Sequence, residues 1–491
     1  MAEHSSIFKS TFLFSFVQVL RMLVSLVKNK VIAVLLGTEG MGIVSVFNNV
    51  TNLIKTGAGF GLSQSAVRDV SEANACEDSI RFSKIIKVTN RVVHLTSLLG
   101  LLVTVFFSPL LSKWNFGNYS YTFSFILLSL AVATDVFADN QLAILKGMRH
   151  LRSLAKASLY SSFWGALLGL PVLFIWRENG IVPSIVISAL IVAVITYYFV
   201  SKIDYDRNVI VSLKETYLMA TPMVKMGFAL MVSNFLAFLF KLVVIIFIRK
   251  EGGLEDVGIY NAGMSLVNMY FSMVTTALTT DYYPRISAIH SNIDMLSSEI
   301  RKQSEVGLLI FFPLMTIFLS FSTVLIKILY TDDFLGALSY TNIAVIGMLI
   351  SVVSDCYGYV FIVKQDSRLY LILSILFNVL LLPVYILFYN ILGLLGLGLS
   401  YIINNLTQLV VYVFLSKHRY NIDVDFRLLG KLTMIIGVLL LCIITNNISN
   451  MSLRIIFNTS LVLLSLGVTY YILKQRMNIN VFSFIKNKFK K

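Results

Sequence analysis

A chain of 491 residues that is 57% hydrophobic and 13% charged, with a mean hydropathy of +0.82, carries too much apolar surface for a soluble domain. This composition predicts a polytopic helical membrane protein. A net charge of +15 would indicate nucleic-acid binding in a soluble protein, but in a membrane protein it marks cytoplasmic connections. The cysteines Cys76, Cys356 and Cys442 are far apart in sequence and indicate neither a metal site nor a disulfide.

Hydrophobic segments of membrane-spanning length predict fourteen helices joined by short connections. The first segment is longer than a signal peptide and contains Arg21, so we expect no cleavage there. The predicted helices cover residues 8–36, 41–62, 84–111, 119–145, 153–176, 181–201, 216–248, 256–283, 301–329, 337–363, 368–389, 392–416, 428–447 and 453–473. The stretch after the second helix, around residues 65–73, is predicted to form an additional helix at the membrane surface.

Lysine and arginine alternate from one predicted connection to the next. The N-terminus, every second connection and the C-terminal tail hold 27 of them, against 5 in the intervening connections. Positive residues accumulate on the cytoplasmic side of membrane proteins. The alternation therefore predicts an even number of helices and two cytoplasmic termini.

Short matches recur at a spacing of about 216 residues. The pair Gly42-Ile43 matches Gly258-Ile259, and polar residues inside the helices match at the same spacing. These matches predict two six-helix bundles, residues 1–205 and 215–417, related by a parallel repeat around a central cavity. Two further helices at 428–473 and a basic tail at 474–491 lie outside the repeat.

One face of the first helix is polar. At helical spacing it carries Thr11, Phe14, Gln18, Arg21, Ser25 and Lys28. An arginine inside hydrocarbon costs several kcal/mol, so Arg21 is expected to face protein or water. Two interpretations remain open. Either this face lines a water-filled, cationic cavity, or its amides and hydroxyls join helices while its cations pair with acids.

Helices that match across the repeat carry similar polar residues. Asn52 matches Asn268, Gln18 matches Asn234, and Ser25 matches Lys241. In transporters that are built from two repeats, the substrate site lies between the repeats. If this chain is organised in that way, these residues line a lumen. The candidate substrate-binding residues are Arg21, Lys28, Lys55, Lys241, Gln18, Asn52, Asn234 and Asn268.

Three acids lie inside predicted helices at corresponding places of the repeat. Asp135 and Asp139 are one turn apart on the fourth helix, and Asp355 is on the tenth. Buried carboxylates are candidates for coupling transport to protons or other cations. The alternative is that they form fixed ion pairs with a lysine or arginine of the lumen.

Several stretches resemble the polysaccharide transporter family, the Wzx-type flippases of the multidrug/oligosaccharidyl-lipid/polysaccharide (MOP) exporter superfamily. The resemblance rests on residues 31–43, on residues 59–68 and on residues 143–150. It implies two six-helix bundles with alternating access. It also implies transfer of undecaprenyl-diphosphate-linked oligosaccharide, such as an O-antigen repeat unit, to the periplasmic leaflet, with no cofactor and with possible partners from polysaccharide assembly.

Three functions are compared. A flippase explains the cations inside the membrane, because lysine and arginine replace the lost hydration of a diphosphate. A multidrug or organic cation antiporter of the same superfamily would favour acids, and the first, second, seventh and eighth helices have none in their cores. A membrane-embedded glycan polymerase would need a large outer loop, which the short predicted connections exclude.

Overall fold

The computed structural model describes residues 2–75, 79–148, 150–289, 291–364, 366–423, 425–446, 448 and 450–477. Over these ranges the secondary structure is helical, without strands. The α-helices are α1 (Ala2–Ala58), α2 (Leu62–Ala75), α3 (Ser79–Phe116), α4 (Thr122–Gly147), α5 (Leu151–Trp176), α6 (Ile181–Ser201), α7 (Leu213–Ala288), α8 (Ile293–Leu329), α9 (Ala337–Val363), α10 (Ser367–Leu392), α11 (Leu394–Tyr420), α12 (Phe426–Asn446) and α13 (Met451–Met477). Two short 3₁₀ helices cover Arg177–Gly180 and Asp332–Gly336.

The two longest helices are each broken at a glycine. In α1 the break is at Gly37, with φ of 66°, and in α7 it is at Gly253, with φ of 80°. Residues other than glycine rarely adopt this left-handed backbone region, which explains the residue type. The two breaks are 216 residues apart, the spacing at which sequence matches recur. Each long helix therefore consists of two segments.

The number of helical segments agrees with the predicted fourteen membrane helices. Within the described ranges, ten stretches are long and apolar enough to cross a membrane. One of them, Leu20–Ala58, holds both segments of α1, and another, Arg152–Ser201, holds both α5 and α6. The ten stretches therefore hold twelve helical segments, and the two segments of α7, which are not among them, bring the number to fourteen. The predicted all-α, polytopic membrane fold is confirmed.

Most predicted helix limits lie close to the observed ones. The predicted helices 181–201 and 337–363 match α6 and α9, whereas α3 and α8 begin earlier than predicted. The extra turns of α3 and α8 mix apolar residues with charged and hydroxyl residues, so hydropathy alone does not mark them, although their backbone remains helical. The additional helix predicted around residues 65–73 is present as α2. Its buried residues Leu62, Ala66, Val70 and Ala73 recur every three or four positions and pack on α3 and α4.

Contacts divide the chain into two compact units. Unit 1 is Met1–Asn261 with Leu329–Asp333, and unit 2 is Ala262–Ile328 with Phe334–Lys491. The division falls within the second segment of α7. The domain limits inferred from the repeat, 1–205 and 215–417, stay predictions.

In unit 2, α12 and α13 are joined to α8 by polar contacts. Pro313 of α8 has no N–H, so the carbonyl of Leu309 lacks its usual helical donor. The hydroxyl of Thr469, on α13, donates to that carbonyl at 3.2 Å. Asn446 of α12 likewise donates to the carbonyl of Leu319 at 2.9 Å. The last two helices are thus attached to α8 by specific hydrogen bonds.

Candidate functional site

Unit 1 contains a polar cavity of about 250 Å³ between the second segment of α1, the start of α2, α3, α4 and the first segment of α7. Residues from all five elements contribute to its wall. The lining residues are Asn52, Lys55, Thr56, Gly59, Gly61, Leu62, Ser63, Val93, Thr96, Val136, Asp139, Asn140, Met231, Asn234 and Phe238. Four of the residues predicted from sequence, namely Asn52, Lys55, Asn234 and Asp139, therefore meet in one cavity.

The charged centre of the cavity is an ion pair. The Nζ atom of Lys55 lies 3.2 Å from Oδ2 of Asp139. Asp135, one turn earlier on α4, interacts electrostatically with both Lys55 and Lys28. Two lysines of α1 thus face two aspartates of α4. A lysine–aspartate pair fits both roles predicted for these acids. It can be a fixed ion pair, and it can take part in coupling if the lysine moves to another partner.

Helical spacing explains how α1 and α4 present these groups. Asn52 and Lys55 are three residues apart, so they lie on one face of α1, and Gly59 follows directly after its end. Asp135 and Asp139 are four apart on α4. Where α1 ends, Gly61 has φ of 63°, and a Cβ atom added to it would lie 2.1 Å from the carbonyl oxygen of Gly227 on α7. Glycine at both positions allows the two backbones to approach at this edge of the cavity.

A cluster of amides next to the ion pair was not predicted. The side chains of Asn140 and Gln141 on α4 each donate to Oδ1 of Asn90 on α3, at 3.2 Å. Asn140 is 1% exposed and lines the cavity, and its Oδ1 atom has no hydrogen-bond partner within the described part of the chain. The run Asp139-Asn140-Gln141 inside an apolar helix is the sequence signal that marks this cluster.

Three further predicted residues of unit 1 do not line this cavity. Arg21 is exposed on α1, and Lys241 is half-buried on α7. Lys28 is half-buried and reaches the site through its electrostatic interaction with Asp135. The side chain of Gln18, like those of Thr11 and Phe14, lies outside the residues whose side chains the structure describes.

The remaining predicted residues belong to unit 2. Asn268 is exposed on the second segment of α7. Asp355, on α9, lines a separate cavity of about 20 Å³, together with Thr275, Thr279 and Gln303. A cavity of that size has room for one water-sized group, and its hydroxyl and amide side chains are suitable partners for one. The structure therefore places Asp355 in a different site from Asp135 and Asp139.

Comparison with known proteins gives one family match. Residues 31–339 match the family described as polysaccharide biosynthesis protein. This range includes Lys55, both aspartates of α4 and the amide cluster. No curated protein sequence matches the chain.

Solved structures share the fold at low sequence identity. The lipid II flippase MurJ in an inward closed conformation has a TM-score of 0.73 at 12% identity, covering 94% of this chain and 100% of its own. An inward-facing multidrug resistance MATE transporter of the MOP superfamily has a TM-score of 0.64 at 15% identity, covering 81% and 94%. A MOP superfamily transporter from Pyrococcus furiosus, described by the reverse polarity of its binding pocket, has a TM-score of 0.58 at 14% identity, covering 84% and 95%. The chain has the fold of the MOP superfamily.

Proposed function

The chain belongs to the polysaccharide biosynthesis protein family, and from this premise we propose that it is a flippase for lipid-linked oligosaccharide. The substrate is an oligosaccharide on a polyprenyl diphosphate, such as an O-antigen repeat unit on undecaprenyl diphosphate. It moves from the cytoplasmic to the periplasmic leaflet of the bacterial inner membrane by alternating access. The protein catalyses no covalent step, and both termini are cytoplasmic.

The observation that carries the proposal is the cavity around Lys55. A diphosphate that leaves the headgroup region loses its hydration and needs cations and hydrogen-bond donors in its place. The amine of Lys55 supplies charge, and the side-chain amides of Asn52 and Asn234 supply N–H donors in the same cavity. Arg21 and Lys28 on α1, with Lys241 on α7, extend the positive charge of unit 1, and Asn268 offers a further amide.

The ion pair suggests how binding is coupled to protons. A diphosphate carries more negative charge than one carboxylate, so it competes with Asp139 for the amine of Lys55. An aspartate that loses its cation in a partly buried site takes up a proton more readily. Substrate binding and protonation of Asp139 or Asp135 are then linked, and Asp355 of unit 2 is a second candidate for coupling.

The amide cluster is suited to the sugar part of the substrate. The unpartnered Oδ1 atom of Asn140 is a hydrogen-bond acceptor, and a saccharide hydroxyl is a donor of matching size. A buried acceptor without a partner costs about 1–3 kcal/mol, which a hydroxyl group recovers on binding. Asn90 fixes the orientation of the Asn140 side chain from the opposite side.

Two alternatives are less well supported. An organic cation antiporter is favoured by the fold shared with MATE transporters, but the acids of the cavity are opposed by Lys55 and Lys28. A glycan polymerase needs room for acceptor sugars outside the membrane. In the described ranges the longest connection between helices covers residues 202–212, too few for a domain. Partner proteins of polysaccharide assembly remain candidates for binding at the cytoplasmic face.

The test is surface display of the repeat unit in a strain that lacks its own flippase, with protein abundance measured in parallel. Lys55→Arg keeps the charge and should retain transport, whereas Lys55→Glu should abolish it. Arg21→Ala should nearly abolish transport, and Arg21→Lys should impair it partly because the planar fork is lost. Lys225→Glu is the control, since Lys225 is exposed on α7 and does not line the cavity. Full activity of Lys55→Glu at normal abundance would contradict the proposal.

A further inference from the structure

Unit 1 has a second cavity, of about 320 Å³. It lies near the start of the second segment of α1, whereas the cavity around Lys55 lies near the end of that segment. The second cavity lies where α1, the start of α4 and the 3₁₀ helix before α6 meet. Its wall combines the aromatic rings of Phe47, Tyr121 and Phe123 with the polar side chains of Ser124, Glu178 and Asn179. A volume near 300 Å³ with mostly apolar walls and a few polar groups is typical of small-molecule sites.

The aromatic wall is held in place by ring contacts. Phe47 is 1% exposed, and its ring centroid lies 6.0 Å from that of Tyr121. The ring of Tyr121 stacks on that of Phe116 at 4.0 Å, and Phe116 also contacts Phe47 at 5.4 Å, so the three rings form one cluster. These rings are therefore fixed before any ligand binds. Phe123, 73% exposed, is free to adjust at the rim.

The cavity has one acid in its wall and a second acid nearby. Glu178 lines the cavity, and Glu39, which does not, interacts electrostatically with the hydroxyl of Tyr121, as Glu178 does. Within the described residues neither Glu39 nor Glu178 forms an ion pair. The neighbouring Arg177 is directed elsewhere, because its guanidinium donates to the carbonyl of Leu35 at 3.2 Å.

We infer that this cavity binds an organic ammonium group, held against the rings of Tyr121 and Phe123 and neutralised by Glu178 with Glu39. Aromatic faces attract cations within about 6 Å of the ring centroid, and a nearby carboxylate adds a direct charge interaction. The ligand is either a soluble organic cation or the amine of a phosphatidylethanolamine headgroup. This site shares no lining residue with the cavity around Lys55, and its ligand is not the substrate proposed above.

The test is calorimetric titration of benzyltrimethylammonium into the full-length protein in dodecyl maltoside. Glu178→Gln should weaken binding by about tenfold, and the double change with Glu39→Gln should abolish it, since the amide keeps the shape but removes the charge. Glu255→Gln is the control, because Glu255 is an exposed acid of unit 1 outside the cavity, and it should leave binding unchanged. Choline should compete, and 3,3-dimethyl-1-butanol, which has the same shape without charge, should not.

The two sources of the ammonium group are separated in lipid nanodiscs. If the lipid headgroup occupies the site, replacing a neutral galactolipid with phosphatidylethanolamine at a constant fraction of phosphatidylglycerol should weaken benzyltrimethylammonium binding in the parent protein and not change the residual binding of Glu178→Gln. If the ligand is a soluble cation, the lipid exchange should have no effect on the parent. Equal affinity of the parent and Glu178→Gln, or equal competition by the alcohol and choline, would overturn the inference.

Discussion

Gly42 and Gly258 lie against each other in a reciprocal contact. A Cβ atom added to Gly42 would lie 2.1 Å from the carbonyl oxygen of Leu254, and one added to Gly258 would lie 1.9 Å from that of Thr38. Each glycine therefore meets the carbonyl four positions before the other. The reciprocity explains why glycine recurs at the repeat spacing. A side chain at either position would keep the two backbones apart.

Gly42→Ala and Gly258→Ala are expected to destabilise the protein by about 1–3 kcal/mol each, the usual effect of overpacking. In an open helical position the same change is stabilising, because alanine is the better helix former. Gly437→Ala and Gly467→Ala are the matched controls, since nothing lies within 4 Å of their added Cβ atoms. Thermal unfolding monitored by size-exclusion fluorescence measures the difference. Equal melting temperatures for Gly42→Ala and Gly437→Ala would show that the segments are free to separate.

Lys55→Met is expected to lower the free energy of unfolding by about 1–2 kcal/mol, because Asp139 keeps a charge without its partner. The estimate is modest because the Asp139 side chain is 44% exposed. Adding Asp139→Leu should recover most of this loss. Neither variant should transport, since the amine is absent from both. Unfolding of the two single variants and the double variant gives the coupling energy, and a value of zero would mean that the ion pair does not form in the membrane.

Asp135→Asn, Asp139→Asn and Asp355→Asn are expected to change the pH dependence of transport if these acids titrate during the cycle. The measurement is the rate of repeat-unit display over a range of external pH. Asp366→Asn serves as a control, because Asp366 pairs with Arg419 at 2.8 Å outside both cavities. If the variants of Asp135, Asp139 and Asp355 all keep the parental pH profile, the acids are structural.

The topology predicts which positions an impermeant thiol reagent reaches in spheroplasts. With the native cysteines replaced, cysteines at Thr38, Asn118 and Asp332 should react, and those at Asn74, Ser153 and Asp423 should not. Asn118 is preferable to Gly117, because Gly117 has φ of 78° and a side chain there would be strained. One reversed pair would contradict the predicted orientation of the helices.

Thr469→Val removes the hydroxyl that donates to the carbonyl of Leu309 and keeps the shape of the side chain. The expected loss is about 0.6–1.7 kcal/mol, the range measured for hydrogen bonds between membrane helices. Thr459→Val is the comparison, because Thr459 is exposed on the same helix. Unfolding in mild detergent measures both. A loss no larger for Thr469→Val than for Thr459→Val would show that the bond contributes nothing.

The sequence predicts the helices well and the site only partly. Apolar length identifies the spanning segments, and the glycine match at 42 and 258 indicates the repeat but not that the two glycines are in contact. The polar face of the first helix predicts a site around Arg21, whereas the cavity forms further along α1, at Lys55. Helical periodicity shows which face a residue occupies but not which helix lies opposite. For that reason the pairing of Lys55 with Asp139, and the acceptor atom of Asn140, required the structure.

The bond between Thr469 and Leu309 also sets an order of events during synthesis. Its two residues are 160 positions apart, which a ribosome adding 5–20 residues each second covers in about 8–32 s. During that interval α8 is already complete, with the carbonyl freed by Pro313 and without the donor that α13 later brings. Until α13 is synthesised, the carbonyl of Leu309 lacks this donor. A chain that ends before α13 never acquires it. Chains truncated before α13 should accordingly be less stable around α8, by about the 0.6–1.7 kcal/mol that such a bond contributes.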